Sequence, residues 1–221
     1  MKSRIHEVDK MVEYTKIETL YKRDMEGSKK LIEGEFRNEV FEFLKDNKWE
    51  FTEKVDGTNI GIFWDGHKIS YQGRTERAQI PAHLMNKLIE LFGGSVNEEL
   101  FEQKFGEMSV ILFGEGYGAK IHNGGAYRSD VSFILFDVYL PDQNLWLKRD
   151  AIEDIAKTFG IEVVPIVLEG TLDDGVNFVK TFPKSTIGSA NMEGIVGKPK
   201  VDMLDRMGRR VIVKIKCKDF I

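Results

Sequence analysis

The chain has 221 residues, 42% of them hydrophobic and 31% charged, with a formal net charge of −4. That is ordinary globular composition, with enough apolar residues for a sizeable core and a length suited to one large domain or one domain with a small appendage. The single cysteine, Cys217, excludes an intramolecular disulfide framework and a multi-cysteine zinc site, and fits a reducing, cytoplasmic setting. The opening stretch "MKSRIHEVDKMVEY" carries no apolar signal-peptide core, and no run of about 18 apolar residues exists to span a membrane. The acidic net charge neither advertises nor excludes a nucleic-acid partner, because distribution matters more than total.

In chain order, residues 32–46 ("IEGEFRNEVFEFLKD") place Phe36, Val40, Phe43 and Leu44 at helical spacing. In "KWEFTEKV" (48–55), Trp49, Phe51 and Val55 alternate with Lys48, Glu50, Thr52 and Lys54, which predicts a strand with Lys54 on its polar face. "TNIGIFW" and "HKISYQGR" read as two strands joined by an Asp-Gly hairpin signal. Residues 82–92 carry Leu84, Leu88 and Leu91 on one stripe, with Pro81 near the helix start, and a weaker helix is expected over 97–105. "SVILFGE" (109–115) and "VSFILFDVYL" (131–140) read as buried strands. Residues 150–159 form a helix that Gly160 stops. "IEVVPIVLEG" reads as one strand, a short helix follows near 172–181, and "MEGIVGK" and "RRVIVKIKCKDF" are the last strands. Hairpins mixed with separate helices give an α+β fold of largely antiparallel sheets.

Several segments carry chemistry. In "VIVKIKCK", Val211, Val213, Ile215 and Cys217 share one face of a strand, and Ile212, Lys214, Lys216 and Lys218 share the other. Such a strand is an anion cradle, or an amphipathic edge strand whose lysines block aggregation. Between Lys198 and Lys218, five lysines and three arginines face two aspartates, a local basic patch that also reads as a solvated face. Glu115, Asp137 and Glu193 stand at or inside apolar strands, where carboxylates are costly unless paired or bound to a cation. Together with the lysines they suggest a site for Mg²⁺ and phosphates, or structural salt bridges. "GEGYG" is neither a Walker loop nor a dinucleotide fingerprint, because no helix follows it. His6, His67, His83 and His122 show no metal-ligand spacing. Arg74 ends a strand as a surface residue or as a clamp for a carboxylate or phosphate.

In order, the chain presents Lys54-Val-Asp-Gly-Thr-Asn, Arg74, "LFGEGYG", "FILFDV", "MEGIVGK" and "VIVKIKCK". This series resembles the motifs of the covalent nucleotidyltransferase superfamily, which contains ATP-dependent DNA ligases, RNA ligases and mRNA capping enzymes. The resemblance runs from about Tyr14 to the C-terminus. Within the superfamily, "YTKIETLY", "GEGYGAKIHNGGAYR" and "KIKCK" are most similar to the RNA ligase 2 group. Asp56 stands where that group often has histidine and where DNA ligases and capping enzymes have aspartate.

The resemblance implies an adenylyltransferase (ATP-grasp-like ligase) domain over residues 1–221; in departure from the superfamily's pattern, no C-terminal OB-fold or helical domain is expected, since five residues follow Lys216. It implies an ATP-dependent RNA ligase using Mg²⁺, or Mn²⁺ in its place. Lys54 would attack the α-phosphate of ATP, release pyrophosphate and carry AMP to a 5′-phosphate end that a 3′-hydroxyl then joins. An ordinary lysine has a pKa near ~10.4 and is protonated, so nearby cations or burial must favour the neutral amine. By the same resemblance Asn59 and Arg74 would contact ribose or phosphates, Glu115 the ribose hydroxyls, and Phe136 the adenine face. The backbone at Glu53 and Val55 would meet the adenine edge, Glu193 would place the metal, and Lys214 and Lys216 would grip the α-phosphate. Gly57 is expected to let the chain turn after the strand. The expected partner is RNA with a 5′-phosphate and a 3′-hydroxyl, with DNA as an alternative; no membrane is implied, and a protein partner supplying substrate grip is an option. Rival readings are a DNA-nick ligase core, a GTP-using capping enzyme, and a non-catalytic nucleic-acid-binding module on the same fold.

Overall fold

The computed structural model describes residues 12–75 and 77–221; His6 and most of the stretch read above for a signal peptide lie outside the described residues. Two compact units divide the chain. One comprises the chain up to Tyr14 and Gly57–Val163, the other Thr15–Asp56 and Val164–Ile221.

The first unit is built on a six-stranded sheet. Its order is Glu162–Val163, Val131–Leu140, Val110–Gly118, Thr58–Trp64 and Ile69–Gln72, with Leu145–Trp146 pairing alongside Val131–Leu140. All pairs are antiparallel except Glu162–Val163. The Asp-Gly hairpin forms as expected, with Trp64 opposite Ile69 and Gly66 at a φ of +95° that an L side chain resists. Helices Ala82–Phe92, Ser95–Phe105 and Arg149–Phe159 turn Leu84, Leu88, Phe92, Phe101, Phe105, Ile152 and Ile155 into the core beside Ile60, Ile62, Leu112 and Phe133. Gly160, in the left-handed region at φ +62°, closes the third helix as its sequence predicts.

The second unit carries a five-stranded sheet ordered Glu18–Thr19, Val213–Lys216, Gly194–Pro199, Trp49–Glu53 and Ile166–Gly170. Trp49 and Phe51 point inward at alternate positions, as the strand pattern requires, and pack with Leu172, Val176 and Ile215. Helix Leu172–Lys180 begins with a reciprocal capping box between Thr171 and Asp174, which satisfies two otherwise orphaned N-terminal donors.

Four expectations are corrected. Residues 32–46 are not one helix: Leu31–Phe36 is a strand, and a short helix, Glu39–Phe43, starts only after the Asn38 side chain caps it by accepting from Phe41 N. Phe41 is the buried aromatic there, whereas Phe43 is 85% exposed. "IEVVPIVLEG" is two strands in two units, Glu162–Val163 and Ile166–Gly170, separated at Val164-Pro165; proline cannot donate to a ladder. The last strand is only Val213–Lys216, ending in a 3₁₀ turn, Cys217–Phe220. It is also not an edge strand, since Glu18–Thr19 flanks it on one side and Gly194–Pro199 on the other. Among the described residues no helix is long and apolar enough to cross a membrane.

Candidate functional site

Three neighbouring strands of the second unit assemble a lysine–carboxylate cluster. Lys54 follows Trp49–Glu53 directly, and its backbone N–H donates to Gly194 O at 2.9 Å. Gly194 lies opposite Lys216 in the next strand pair, and Glu193 O accepts from Cys217 N at 3.0 Å. These ladders put three side chains together: Glu193 Oε2 is 2.6 Å from Lys54 Nζ, and Glu193 Oε1 is 2.7 Å from Lys216 Nζ. A side chain at 194 would meet Ile215 O at 2.2 Å, so glycine is needed for the two strands to close this tightly.

All three members of the cluster are half-buried. Burial by itself would raise the Glu193 carboxyl, but the charge of Lys54 and hydrogen bonds from Lys216 and Lys54 outweigh it and hold the group below the ordinary glutamate value. Lys214 lies two residues before Lys216 on the same side of the strand, across from Val196. Of the face expected from alternation, Lys214 and Lys216 lie on the strand, which is interior, whereas Ile212 precedes it and Lys218 falls in the 3₁₀ turn.

Glu53 is a buried carboxylate that alternation left unassigned. It occupies an apolar position, and its carboxylate is 2% exposed. It accepts from Ser185 Oγ at 2.5 Å, Thr186 Oγ1 at 2.7 Å and Thr186 N at 2.9 Å, which satisfies a buried charge with short, charge-assisted bonds. Its own backbone N–H donates to Pro165 O at 3.0 Å. Val55 is buried. No local pattern reveals these partners, because they lie about 130 residues away.

The first unit holds the other candidates. Asn59 and Glu115 are direct cross-strand partners on Thr58–Trp64 and Val110–Gly118, both half-buried. Phe136 owes its orientation to a register break: Phe113 pairs with Asp137 and Gly114 with Leu135, so Phe136 is the extra residue of a bulge. The bulge leaves Phe136 half-buried and sends Asp137 to 0% exposure, where it accepts from Tyr14 OH at 2.8 Å. Tyr14 also contacts the Phe136 ring at 5.0 Å and the Phe113 ring at 5.1 Å. The Tyr14 hydroxyl is thus one of the partners that this buried carboxylate needs. Arg74 sits exposed in the bend after Ile69–Gln72.

Gly57 lies in a bend after the strand, as expected, and close packing gives a second reason for glycine. A Cβ there would stand 2.4 Å from Gly116 O and 2.8 Å from Glu115 Cγ, so glycine permits close approach to the strand bearing Glu115. Further along, the Tyr117 hydroxyl donates to Glu162 at 2.5 Å and accepts from Arg128 at 3.3 Å; burial and the Glu162 bond push its phenol up to about 12. This anchors a loop in which Lys120 and His122 adopt left-handed φ values of 62° and 48°.

The basic patch is partly neutralised within its own unit. Lys200 pairs with Glu50 and Glu169, and Arg209 pairs with Asp205. Bonds from Lys200 and Lys48 hold the Glu169 carboxyl at about 2. Among the described residues, no group of three or more histidine, cysteine, aspartate or glutamate side chains is arranged to hold a metal ion.

Comparison with known proteins gives the family. A family model described as RNA ligase matches residues 47–216. No curated protein matches the chain. Among solved structures, a variant of the RNA ligase of Naegleria gruberi with ATP and Mn aligns at a TM-score of 0.62 and 20% identity, covering 81% of this chain and 54% of that one. A second variant of the same ligase, with AMP and Mn, aligns at 0.61 and 20%, covering 80% and 52%. The ligase with PPi aligns at 0.60 and 21%, covering 80% and 51%. The chain thus spans about half the length of the solved proteins it matches, and shares with them an α+β fold of largely antiparallel sheets flanked by helices. With three quarters of its length matched by the family model, the chain belongs to the RNA ligase family.

Proposed function

We propose that this chain carries the nucleotidyltransferase chemistry of an ATP-dependent RNA ligase, with Lys54 as the residue that becomes covalently adenylylated. The observation that carries the reading is the Lys54–Glu193–Lys216 cluster, one carboxylate holding two lysines at 2.6 and 2.7 Å. Family membership and the ATP-, AMP- and PPi-bound states of the Naegleria gruberi structures support the choice of nucleotide.

Lys54 Nζ, after losing a proton, attacks the α-phosphorus of ATP; an N–P bond forms, the α–β bridging P–O bond breaks, and pyrophosphate leaves. A 5′-phosphate oxygen of the RNA then displaces Lys54 from the AMP. Finally the 3′-hydroxyl attacks that 5′-phosphorus and AMP departs. Glu193 keeps Lys54 held in place before nucleotide arrives. Lys216, with Lys214 beside it on the strand, supplies positive charge for the phosphates where negative charge develops. Asn59 and Arg74 act on ribose or phosphates, Glu115 on the ribose hydroxyls and Phe136 on adenine; the backbone at Glu53 and Val55 meets the base edge.

Glu193 would hold a Mg²⁺ or Mn²⁺ ion, its carboxylate being the hard oxygen donor that such ions take. When bound, the ion supplies charge neutralisation at the phosphates. RNA bearing a 5′-phosphate and a 3′-hydroxyl is the substrate.

The test is incubation with α-labelled ATP and Mg²⁺ followed by denaturation. Label stays on wild type and is absent from Lys54→Ala. Labelling of Lys54→Ala at the wild-type level would overturn the reading. Sealing of nicked RNA against nicked DNA duplexes then fixes the polynucleotide.

A further inference from the structure

The loop of residues 183–192 links helix Leu172–Lys180 to the strand that follows Glu193. It closes on itself through Ser185 N to Ala190 O at 2.9 Å, Met192 N to Pro183 O at 3.0 Å, and Lys184 Nζ to Asn191 Oδ1 at 2.7 Å. Its near end is fastened to the Glu53 carboxylate by two hydroxyls, Ser185 Oγ at 2.5 Å and Thr186 Oγ1 at 2.7 Å, and by Thr186 N. Ser185 Oγ also accepts from Ile187 N at 3.0 Å, so one buried serine bridges the carboxylate and the loop backbone. The carboxylate precedes Lys54 in sequence, and the loop runs straight into Glu193.

We infer that Ser185 and Thr186 are positioning residues which, through Glu53, set the separation of Lys54 and Glu193. This rests on the reading of Lys54 as nucleophile. The two ends of the latch are the two chain segments that must meet for the 2.6 Å pair to form. Trp49–Glu53 and Gly194–Pro199 are joined by an antiparallel ladder, but that ladder ends at the bond from Lys54 N to Gly194 O, and the latch ties the two segments together where Lys54 and Glu193 extend past it. A structural clasp alone needs no acceptor at the residue next to the lysine. Here the acceptor occupies the one inward position of Trp49–Glu53 that is not apolar, which is a site an alternating strand would otherwise give to a hydrophobe.

The test compares the whole wild-type chain with the double variant Ser185→Ala/Thr186→Val and with Thr186→Ser. Far-UV circular dichroism and thermal unfolding report folding. Single-turnover labelling with α-labelled ATP gives the rate and the KM for ATP. NMR of isotopically labelled lysine side-chain nitrogens, with Lys54 assigned through Lys54→Arg, reports the Lys54–Glu193 pair without any turnover. The double variant is expected to fold, to lose roughly 10–100-fold in labelling rate at saturating ATP as misplaced reactive groups do, and to keep KM within about threefold. Its Lys54 resonance shifts or broadens, and Thr186→Ser, which keeps the hydroxyl, behaves as wild type. A folded double variant with wild-type labelling rate and an unmoved Lys54 resonance overturns the inference. Should wild type take no label, the nucleophile reading fails, and the Lys54 resonance alone decides the latch: moved supports it, unmoved overturns it. If the double variant does not fold, Thr186→Val alone, at an exposed position, is read by the same two measurements: a slowed label and a moved resonance support the latch, and wild-type behaviour in both overturns it.

Discussion

Lys54 Nζ and Glu193 Oε2 lie 2.6 Å apart, although the residues are separated by 139 positions. The pair makes two demands on residue 54: a cation that pairs with Glu193, and an amine that can lose its proton. Lys54→Arg separates them, because guanidinium keeps the charge but is not deprotonated in proteins. The variant should melt within about 1 kcal/mol of wild type, in line with a partly exposed pair that is retained. It should take no label from α-labelled ATP. Labelling above the level of Lys54→Ala would show that another residue accepts AMP.

The same pair gives a pH dependence with a definite sign. The Glu193 carboxyl is held below its ordinary value of 4.5, so its contribution to stability is present above that pH and is lost as pH falls through the depressed folded value. Glu193→Gln removes that acid-side loss and also leaves Lys54 and Lys216 without their shared counter-charge. Expected at neutral pH is a loss of about 1.5–3 kcal/mol, the range for hydrogen bonds to charged groups. The gap from wild type should narrow below about pH 4. Parallel stability curves at every pH would mean that the pairing does not contribute.

Gly57→Ala tests close approach in the first unit. Its Cβ would meet a backbone oxygen, Gly116 O, at 2.4 Å, and backbone cannot yield as a flexible side chain does. Overpacking of this kind costs roughly 1–3 kcal/mol. Because the second contact is Glu115 Cγ, the variant should also raise the KM for ATP in the labelling assay if Glu115 holds ribose. A thermal midpoint equal to wild type would show that the strands part freely there.

Much of this was legible in the sequence because it depends on local period. Trp49 and Phe51 fix one strand face and therefore place Lys54 on the other. Val213, Lys214, Ile215 and Lys216 do the same for the last strand. The motif order singled out Glu193 as the residue that would place the metal, and only the strand pairing shows that it joins Lys54 and Lys216. What period could not supply is long-range. Glu53 breaks its own alternation because hydroxyls from residues 185 and 186 come to meet it. Phe136 and Asp137 sit in an uninterrupted apolar run, and only the partner strand's register reveals the bulge that separates their roles. Residues 32–46 carry helical spacing, yet Gly34 at φ +87° and the Asn38 cap divide them into strand and helix.

Tyr14 and Asp137 supply the last prediction. Asp137 is fully buried on the bulged strand and accepts from the Tyr14 hydroxyl, whose ring packs against Phe113, Phe136 and Trp146. Tyr14→Phe keeps the ring and removes one donor from a buried carboxylate. The expected cost is about 1–3 kcal/mol, seen as a lower denaturant midpoint at unchanged slope. The cost should shrink when Asp137 is already Asn, because a neutral amide loses less than a carboxylate when a donor goes; the difference between the two backgrounds isolates the bond itself. No cost in either background would mean that Tyr14 contributes through its ring alone. In that case the segment around Tyr14 is held by aromatic packing, and the buried charge of Asp137 draws its stabilisation from other neighbours.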